Sequence, residues 1–501
     1  MQLELPLITT FIGYLLTTLF IGYIAYRATT TLSDYILGGR QLGPAVTALS
    51  VGASDMSGWL LLGLPGAIYL SGSSEVWIGV GLVIGAFFNW LLVAPRLRAF
   101  TQKAGDALTI PEFLENRFND KSHFLRYLSA ITILIFFTFY VSSGLVGGAI
   151  LFEKVFGLEY LSALIIGALV IVSYTFLGGF LAVSWTDFFQ GCLMLIALVL
   201  LPIVAINELG GIDTTLHTIK AINPDYFNVF QGFSWIGFLS LIAWGLGYFG
   251  QPHILSRFMA IRSVDDIPKS RNIAMLWMLC SLIGALAVGL VGIAYYAEQP
   301  LENPETIFIF MSKALLNPWV AGVIIAAILS AIMSTIDSQL LVCSSIIIED
   351  FYKNISKRQA SEQRLVWLSR LSLLCIAIIA TIIALDPQSS VLGLVSYAWA
   401  GFGSAFGPTI LLSLFWARFT RHGALASIAS GALVVFIWPM LAQYGGFFNL
   451  YEIIPGFTIA MLSGYVVSLL SQDLDKHSEQ VFSDLNRQFS LATTKAVNSP
   501  S

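Results

Sequence analysis

Apolar runs too long and too numerous for one water-soluble core set the terms for this chain of 501 residues. A helix that crosses the hydrocarbon layer needs about 20 mostly apolar residues in succession. Such runs recur at roughly 6–26, 44–72, 76–97, 127–150, 159–183, 188–206, 235–255, 273–297, 319–347, 367–385, 391–416, 423–443 and 455–471. Charged residues make up only 11% of the chain, against about 25% in ordinary soluble domains. The solvent for most of this surface is therefore lipid, and the expected fold is an all-α membrane protein of about thirteen transmembrane helices. The N-terminus has neither a basic region nor a small-residue cleavage site, so the first run reads as a permanent helix.

An odd number of spans puts the two ends on opposite sides. With the N-terminus outside, the inside segments hold every one of the 25 basic residues except Lys154, Lys220 and Lys313. The opposite orientation would invert that bias, against the rule that basic residues gather on the cytoplasmic side. The polar stretch 472–501 is then a cytoplasmic tail. The loops near 99–126 and 207–234 are long enough for a short interfacial helix each. A net charge of −4 without a basic block gives no footprint for nucleic acid. Cys192, Cys280, Cys343 and Cys375 each lie in an apolar run without paired or metal-type spacing, so they read as inert thiols. Gly178 and Gly179 fall in a span, where glycine permits close helix packing. No metal cluster, phosphate loop, nucleotide fingerprint or nucleophile set emerges. The chain does not read as an enzyme, and no obligatory protein partner is implied.

Polar groups at membrane depth are the best pointers to function. Asp55 sits in SVGASDMSGWLLLG (50–63), among Ser54, Ser57, Gly52, Gly58 and Gly63. Glycine and serine weaken a helix interior, and irregular backbone at that depth survives only where it lines a cavity or is buried in protein. A broken helix frees carbonyls for a cation and N–H groups for an anion. The alternative is a kinked packing helix with Asp55 paired to a basic group, but no other span is expected to carry Lys or Arg at comparable depth. The ninth run carries Ser330, Ser334, Thr335, Asp337, Ser338, Ser344 and Ser345. Ser334 and Ser338, four apart, share a helix face. Hydroxyls suit Na⁺ when carbonyls complete the shell, or they bond back to their own helix and glue neighbours. In AWGLGYFGQPHIL (243–255), Trp244 and Tyr248 are four apart beside a glycine- and proline-loosened stretch. Such a face holds a small apolar ring or an ammonium, or simply packs. Tyr140 is a weaker member of the same group, and His253 reads as structural.

These residues carry a resemblance. SDYILGGRQLGP (33–44), SVGASDMSGWLLLGLPG (50–66), GGFLAVSWTDFFQG (178–191), WGLGYFGQPHIL (244–255) and SAIMSTIDSQLL (330–341) resemble the sodium/solute symporter family over nearly the full length, and the second, fourth and fifth stretches point to its proline branch. The resemblance implies a LeuT-like core in a single domain, 1–471. The first span and loop occupy 1–43. A first five-helix repeat over 44–206 (spans 2–6) recurs upside down over 235–416 (spans 7–11). Two peripheral spans over 423–471 and the 472–501 tail complete it. It implies a sodium site from the carbonyls of Ala53, Met56 and Ala331 with the hydroxyls of Ser334 and Thr335, Asp55 shaping the site or balancing its charge. The solute site would draw on Ser57, Gly58, Tyr140, Trp244, Tyr248 and Pro252. A second sodium would use Asp187 and Ser338, where Asp337 stands in place of a hydroxyl found in some relatives.

The function so implied is sodium-coupled import of L-proline by alternating access in the bacterial cytoplasmic (inner) membrane, with Na⁺ as coupling ion and no other cofactor. The alternatives are the same machinery with another solute, such as pantothenate or a different amino or organic acid, or a channel or membrane sensor. A sensor needs an output domain, and the tail is too short to be one.

Overall fold

The computed structural model describes residues 5–28, 31–175, 179–355, 361–471, 479–480, 482–484 and 486–487. Gly178, and the basic residues Lys357, Arg358, Lys476 and Lys495 used for orientation, lie outside the described residues, as does most of the tail. Each apolar run read from the sequence is mainly helical over its described residues. Ten stretches are long and apolar enough to cross a membrane, and Tyr160–Ser173 and Trp235–Gly250 are shorter apolar helices. One of the ten, Gly58–Lys103, turns at Gly72, whose φ is 69°.

Spans 1, 4, 6, 8 and 9 are Leu5–Ala28, Phe124–Phe156, Phe180–Glu208, Ile267–Tyr295 and Pro318–Ile346. Spans 10 to 13 are Glu362–Ile383, Val391–Phe415, Arg421–Leu441 and Ile453–Ser471. Span 3 runs as Val76–Phe88, passes through a π-helical turn at Asn89–Val93 and ends as Ala94–Lys103. Both long loops carry a helix, Ile110–Phe118 and Ile212–Ile222. Span 5 is described over Tyr160–Thr175, and Gly179, inside the expected run 159–183, is in an extended conformation just before Phe180. Gly179 was expected inside a span; its extended backbone instead places it just outside the helix that begins at Phe180.

Two spans are broken, and each is the first of five. Span 2 comprises Pro44–Asp55 and, beyond Met56 and Ser57, Gly58–Leu61 and Gly63–Ser71. Span 7 begins as Trp235–Ile242, tightens into a 3₁₀-helix over Ala243–Gly250, straightens at Gln251 and resumes as Pro252–Ala260. Proline at 252 forces that interruption: it donates no hydrogen bond and drives the residue before it out of the helical region, and Gln251 accordingly has ψ 108°.

Span 9 runs through the centre, with 83% of its most apolar window buried inside the protein. Its start is fixed by Asn317, whose side chain accepts from the N–H groups of Trp319 and Val320, with Pro318 at the first helical position. Span 3 lies unusually close to the 3₁₀ segment of span 7. A Cβ built on Gly85 would stand 2.0 Å from the Gly245 carbonyl oxygen, and one on Gly81 would stand 2.2 Å from that of Ile242. Only glycine fits this backbone-to-backbone approach.

On the face expected inside, ion pairs seal the surface. Arg40 donates to the carbonyls of Met259 and Ala107 and pairs with Asp106 at 2.9 Å. Arg126 bonds Asp350 at 2.5 Å, and Thr109 donates to the same carboxylate at 3.0 Å.

Gly85→Val should separate spans 3 and 7 and cost about 3 kcal/mol or more, the upper range for overpacking a tight contact. Gly13→Val, where nothing lies within 4 Å of the new carbon, is the matched control. Thermal unfolding in detergent followed by size-exclusion fluorescence should show a large loss of folded protein for the first and little change for the second.

Candidate functional site

The break in span 2 decides where its carbonyls go. Met56 N–H still reaches the Gly52 carbonyl, but Ser57 N–H turns back to Asp55, so Ala53 loses its helical donor. At this depth there is no water to replace it. Span 9 supplies the donor: Ser334 Oγ donates to the Ala53 carbonyl at 2.7 Å, and Thr335 Oγ1 reaches it at 3.5 Å. The same two hydroxyls each lie 3.1 Å from the Ala331 carbonyl. Four of the oxygens expected around sodium are therefore within mutual hydrogen-bond reach. Met56 is buried at the turn itself, with ψ 74°.

Asp55 is buried in the same break. Tyr248 donates its hydroxyl to Oδ2, while Oδ1 has no hydrogen-bond partner. The Asp55 backbone carbonyl also gathers donors, from the Trp59 indole at 3.3 Å and the Tyr140 hydroxyl at 3.4 Å. No ion pair to Asp55 exists among the described residues, which removes the reading of a carboxylate held by a basic group. A cavity of about 20 Å³ beside Asp55, Tyr248 and Asn89 has room for one water-sized particle.

The residues expected to hold the solute lie on both sides of this carboxylate. Tyr248 donates to it, and Tyr140 donates to the backbone carbonyl of the same residue. Ser57 caps the short helix Gly58–Leu61 by accepting from Trp59 N–H. Gly58 lies so near Ile332 of span 9 that a Cβ would come within 3.0 Å of it. Trp244 stands in an aromatic box: Trp59 at 6.2 Å, Trp399 at 6.4 Å and Tyr451 at 5.6 Å between ring centres. Tyr248 meets Trp399 edge-on at 5.1 Å. The 3₁₀ form of this segment means that Trp244 and Tyr248 do not lie one turn apart; they are joined through Trp399 instead. Pro252 borders a different small cavity, with Arg257, Ser338 and Leu341. His253, read as structural, is fully buried against Tyr140 and Phe137.

Asp187 and Ser338, the pair expected for a second sodium, do come together, around a cation that the chain itself supplies. Arg257 donates to Asp187 at 3.0 Å, to Ser338 at 2.5 Å, and through Nε to Ser50 at 2.7 Å. Ser50 Oγ in turn donates to Asp187 at 2.6 Å. Arg257 is 1% exposed, which corrects the expectation that no basic residue shares the depth of the buried carboxylates. The sequence reading placed Arg257 in a loop because it carries charge, yet a buried carboxylate such as Asp187 demands a partner, and that demand was a usable signal. Trp59, Trp399 and Tyr451 were also missed. Tyr451 precedes span 13, one of the two spans expected to be peripheral.

Two helices broken at mid-depth, a hydroxyl-bearing helix satisfying one break and an aromatic box beside an unpaired carboxylate define a membrane carrier for a small cation and a small solute. The chain belongs to the sodium:solute symporter family, whose profile matches residues 35–431. It is 55% identical over 468 residues to the high-affinity proline transporter PutP of Bacillus subtilis, covering 93% of this chain and 98% of that one. It is 49% identical over 498 residues to the sodium/proline symporter of Escherichia coli, covering 98% of each. Among solved structures, that of a Na⁺-coupled sialic acid symporter in a substrate-bound outward-open state matches with a TM-score of 0.79 at 21% identity, over 94% of this chain and 98% of that one. The nucleobase-cation-symport transporter Mhp1 matches with a TM-score of 0.56 at 13% identity, over 90% and 98%. These likenesses show the LeuT-like fold, two five-helix halves each opening on a broken span.

Ser334→Ala removes the hydroxyl that meets Ala53. Losing one such oxygen should cost about 1.5–3 kcal/mol, or roughly 10- to 100-fold in affinity. Sodium titration of the purified protein should show the sodium half-saturation rising by that factor while the protein still reaches the membrane.

Proposed function

We propose that this chain is a sodium-driven symporter that imports L-proline across the bacterial cytoplasmic membrane, with its N-terminus outside and its basic loops and tail inside. The observation that carries the reading is the meeting of the span 2 break with Ser334 and Thr335, next to a carboxylate that no cation neutralises. The names of the relatives above support proline as solute and sodium as coupling ion.

Sodium binds where the hydroxyls of Ser334 and Thr335 now donate to Ala53 and Ala331. The hydroxyls rotate to present lone pairs, and the carbonyls of Ala53, Met56 and Ala331 complete the shell. Asp55 balances the charge through the short path of the break. The ion thereby fixes span 2 to span 9 and sets the position of Ser57 and Gly58. Proline, a zwitterion with an apolar ring, then places its carboxylate at the start of the helix after the break and its ring among Trp244, Tyr248 and Tyr140. Pro252 shapes the wall toward the inner face. Coupling is reciprocal: whatever factor sodium adds to proline affinity, proline adds to sodium affinity. Rocking of one helix group about this centre gives alternating access.

We propose further that one sodium suffices, because Arg257 already neutralises Asp187 and engages Ser338. Sodium activation of uptake should be hyperbolic, with a Hill coefficient of about 1, since cooperativity requires more than one coupled site. A sigmoidal curve would restore a second ion.

Uptake of radiolabelled L-proline into proteoliposomes is the direct test. An inward Na⁺ gradient should drive accumulation, and unlabelled proline should compete better than pantothenate or other amino and organic acids; competition in the reverse order would assign another solute. Asp55→Cys should abolish sodium stimulation in protein that still inserts. Trp244→Ala should raise the proline half-saturation about tenfold, near the loss of one aromatic face, and leave sodium affinity much less changed. Equal loss of both would make Trp244 a packing residue.

A further inference from the structure

The tail was expected to be a free polar end, but part of it is docked. Phe482 is 6% exposed and belongs to the main hydrophobic core. Its ring lies 5.9 Å from that of Phe100, at the inner end of span 3. The Arg117 guanidinium, on the loop helix Ile110–Phe118, sits 5.4 Å from the Phe482 ring and 5.9 and 5.2 Å from those of Phe100 and Phe118. Four residues on, Asn486 accepts from Arg96 at 2.8 Å.

The two arginines that the tail covers hold the end of span 11. Arg96 donates to the Leu414 carbonyl at 3.1 Å, and Arg117 donates to that of Ser413 at 3.2 Å. These are last-turn carbonyls, which lack helical donors and carry the negative end of the helix dipole. One short tail segment therefore ties together span 3, the loop helix and span 11. Span 3 also holds the broken span 7, through Asn89 donating to the Tyr248 carbonyl at 2.9 Å. The loop helix starts at Thr109, which binds Asp350 at the end of span 9. The cavity beside Pro252 and Arg257 has Thr109 and Ile110, where the loop helix begins, and Leu341 of span 9 in its wall.

We propose that the tail segment around Phe482 and Asn486 is an intramolecular strap that holds the inner gate closed, so that its release favours the inward-open state. The proposal rests on the alternating-access reading. A ring wedged among Phe100 and Arg117 stabilises only the arrangement in which span 3, the loop helix and span 11 are together, and so shifts the balance between states by its differential contact with them. The partner of this basic, aromatic face is the chain's own C-terminal segment.

The test uses the full chain in nanodiscs, without sodium or proline, carrying Leu341→Cys as a reporter in the wall of that cavity. Labelling by a polar maleimide is located by peptide mass spectrometry. Phe482→Ala should speed modification of the reporter about fivefold or more, Asn486→Ala should do so to a smaller extent, and Phe482→Trp should stay near the parent rate; the lipid-facing Cys375 should be unaffected throughout. Asn486→Ala removes one hydrogen bond at the surface, so it reports even if Phe482→Ala fails to fold. An unchanged reporter rate in protein whose tail has become sensitive to protease would overturn the strap. Because labelling needs no transport, a faster reporter rate in a protein that does not move proline would leave the strap standing and remove the functional reading instead.

Discussion

The Ala53 carbonyl is the group on which the rest of the site depends. The break after Asp55 strips it of its helical donor, and a polar group left unpaired in an apolar setting costs several kcal/mol. Ser334 removes that penalty from a helix 281 residues further along the chain. The bond fixes the height of span 2 against span 9. It thereby sets where Asp55 points, which places Tyr248 on its carboxylate and Tyr140 on its backbone. The donor is a hydroxyl, able to turn and become an acceptor, so the group that satisfies the break in the absence of an ion can coordinate one in its presence. A lysine or a backbone amide at that position could do only the first.

The second break is built by different means. Span 7 is loosened by Gly245, Gly247 and Gly250 and stopped by Pro252, and it is held from span 3 by backbone contact with Gly81 and Gly85. The Trp399 indole donates to the Trp244 carbonyl at 2.7 Å, so span 11 satisfies a backbone group of span 7 much as span 9 does for span 2. Each broken helix thus has a backbone group satisfied by an intact helix, span 9 for span 2 and span 11 for span 7, and the aromatic box joins residues of spans 2, 7 and 11.

Much of this was legible in the sequence, for identifiable reasons. Membrane helices announce themselves by composition, and the runs were located to within about eight residues at each end, the largest shift being the start of span 6 at Phe180 in place of 188. The meeting of spans 2 and 9 was legible because hydroxyls, small residues and a carboxylate are rare at that depth, so Ser334, Thr335 and Asp55 stand out. Trp59, Trp399 and Tyr451 did not, since an aromatic residue in an apolar run looks the same whether it lines a site or fills a core. The 3₁₀ form of Ala243–Gly250 was hidden as well: glycine and proline announce an interruption but not its pitch. Arg257 was assigned to a loop by its charge alone, and a lone phenylalanine in a polar tail gave no sign of what it covers.

The pairing of charges has an electrical consequence. Arg257 and Asp187 cancel, while Asp55, when ionised, has no fixed countercharge. With one Na⁺ and a zwitterion aboard, the charge of an ionised Asp55 would be cancelled, and a membrane voltage would exert no net pull on that pair. Once emptied, the Asp55 carboxylate would stand uncompensated, and an interior-negative potential would push that charge back toward the outside, by about 2.3 kcal/mol per 100 mV if it crosses the whole field. The cell's voltage would then act mainly on the return stroke, resetting the vacant carrier and not pulling its cargo.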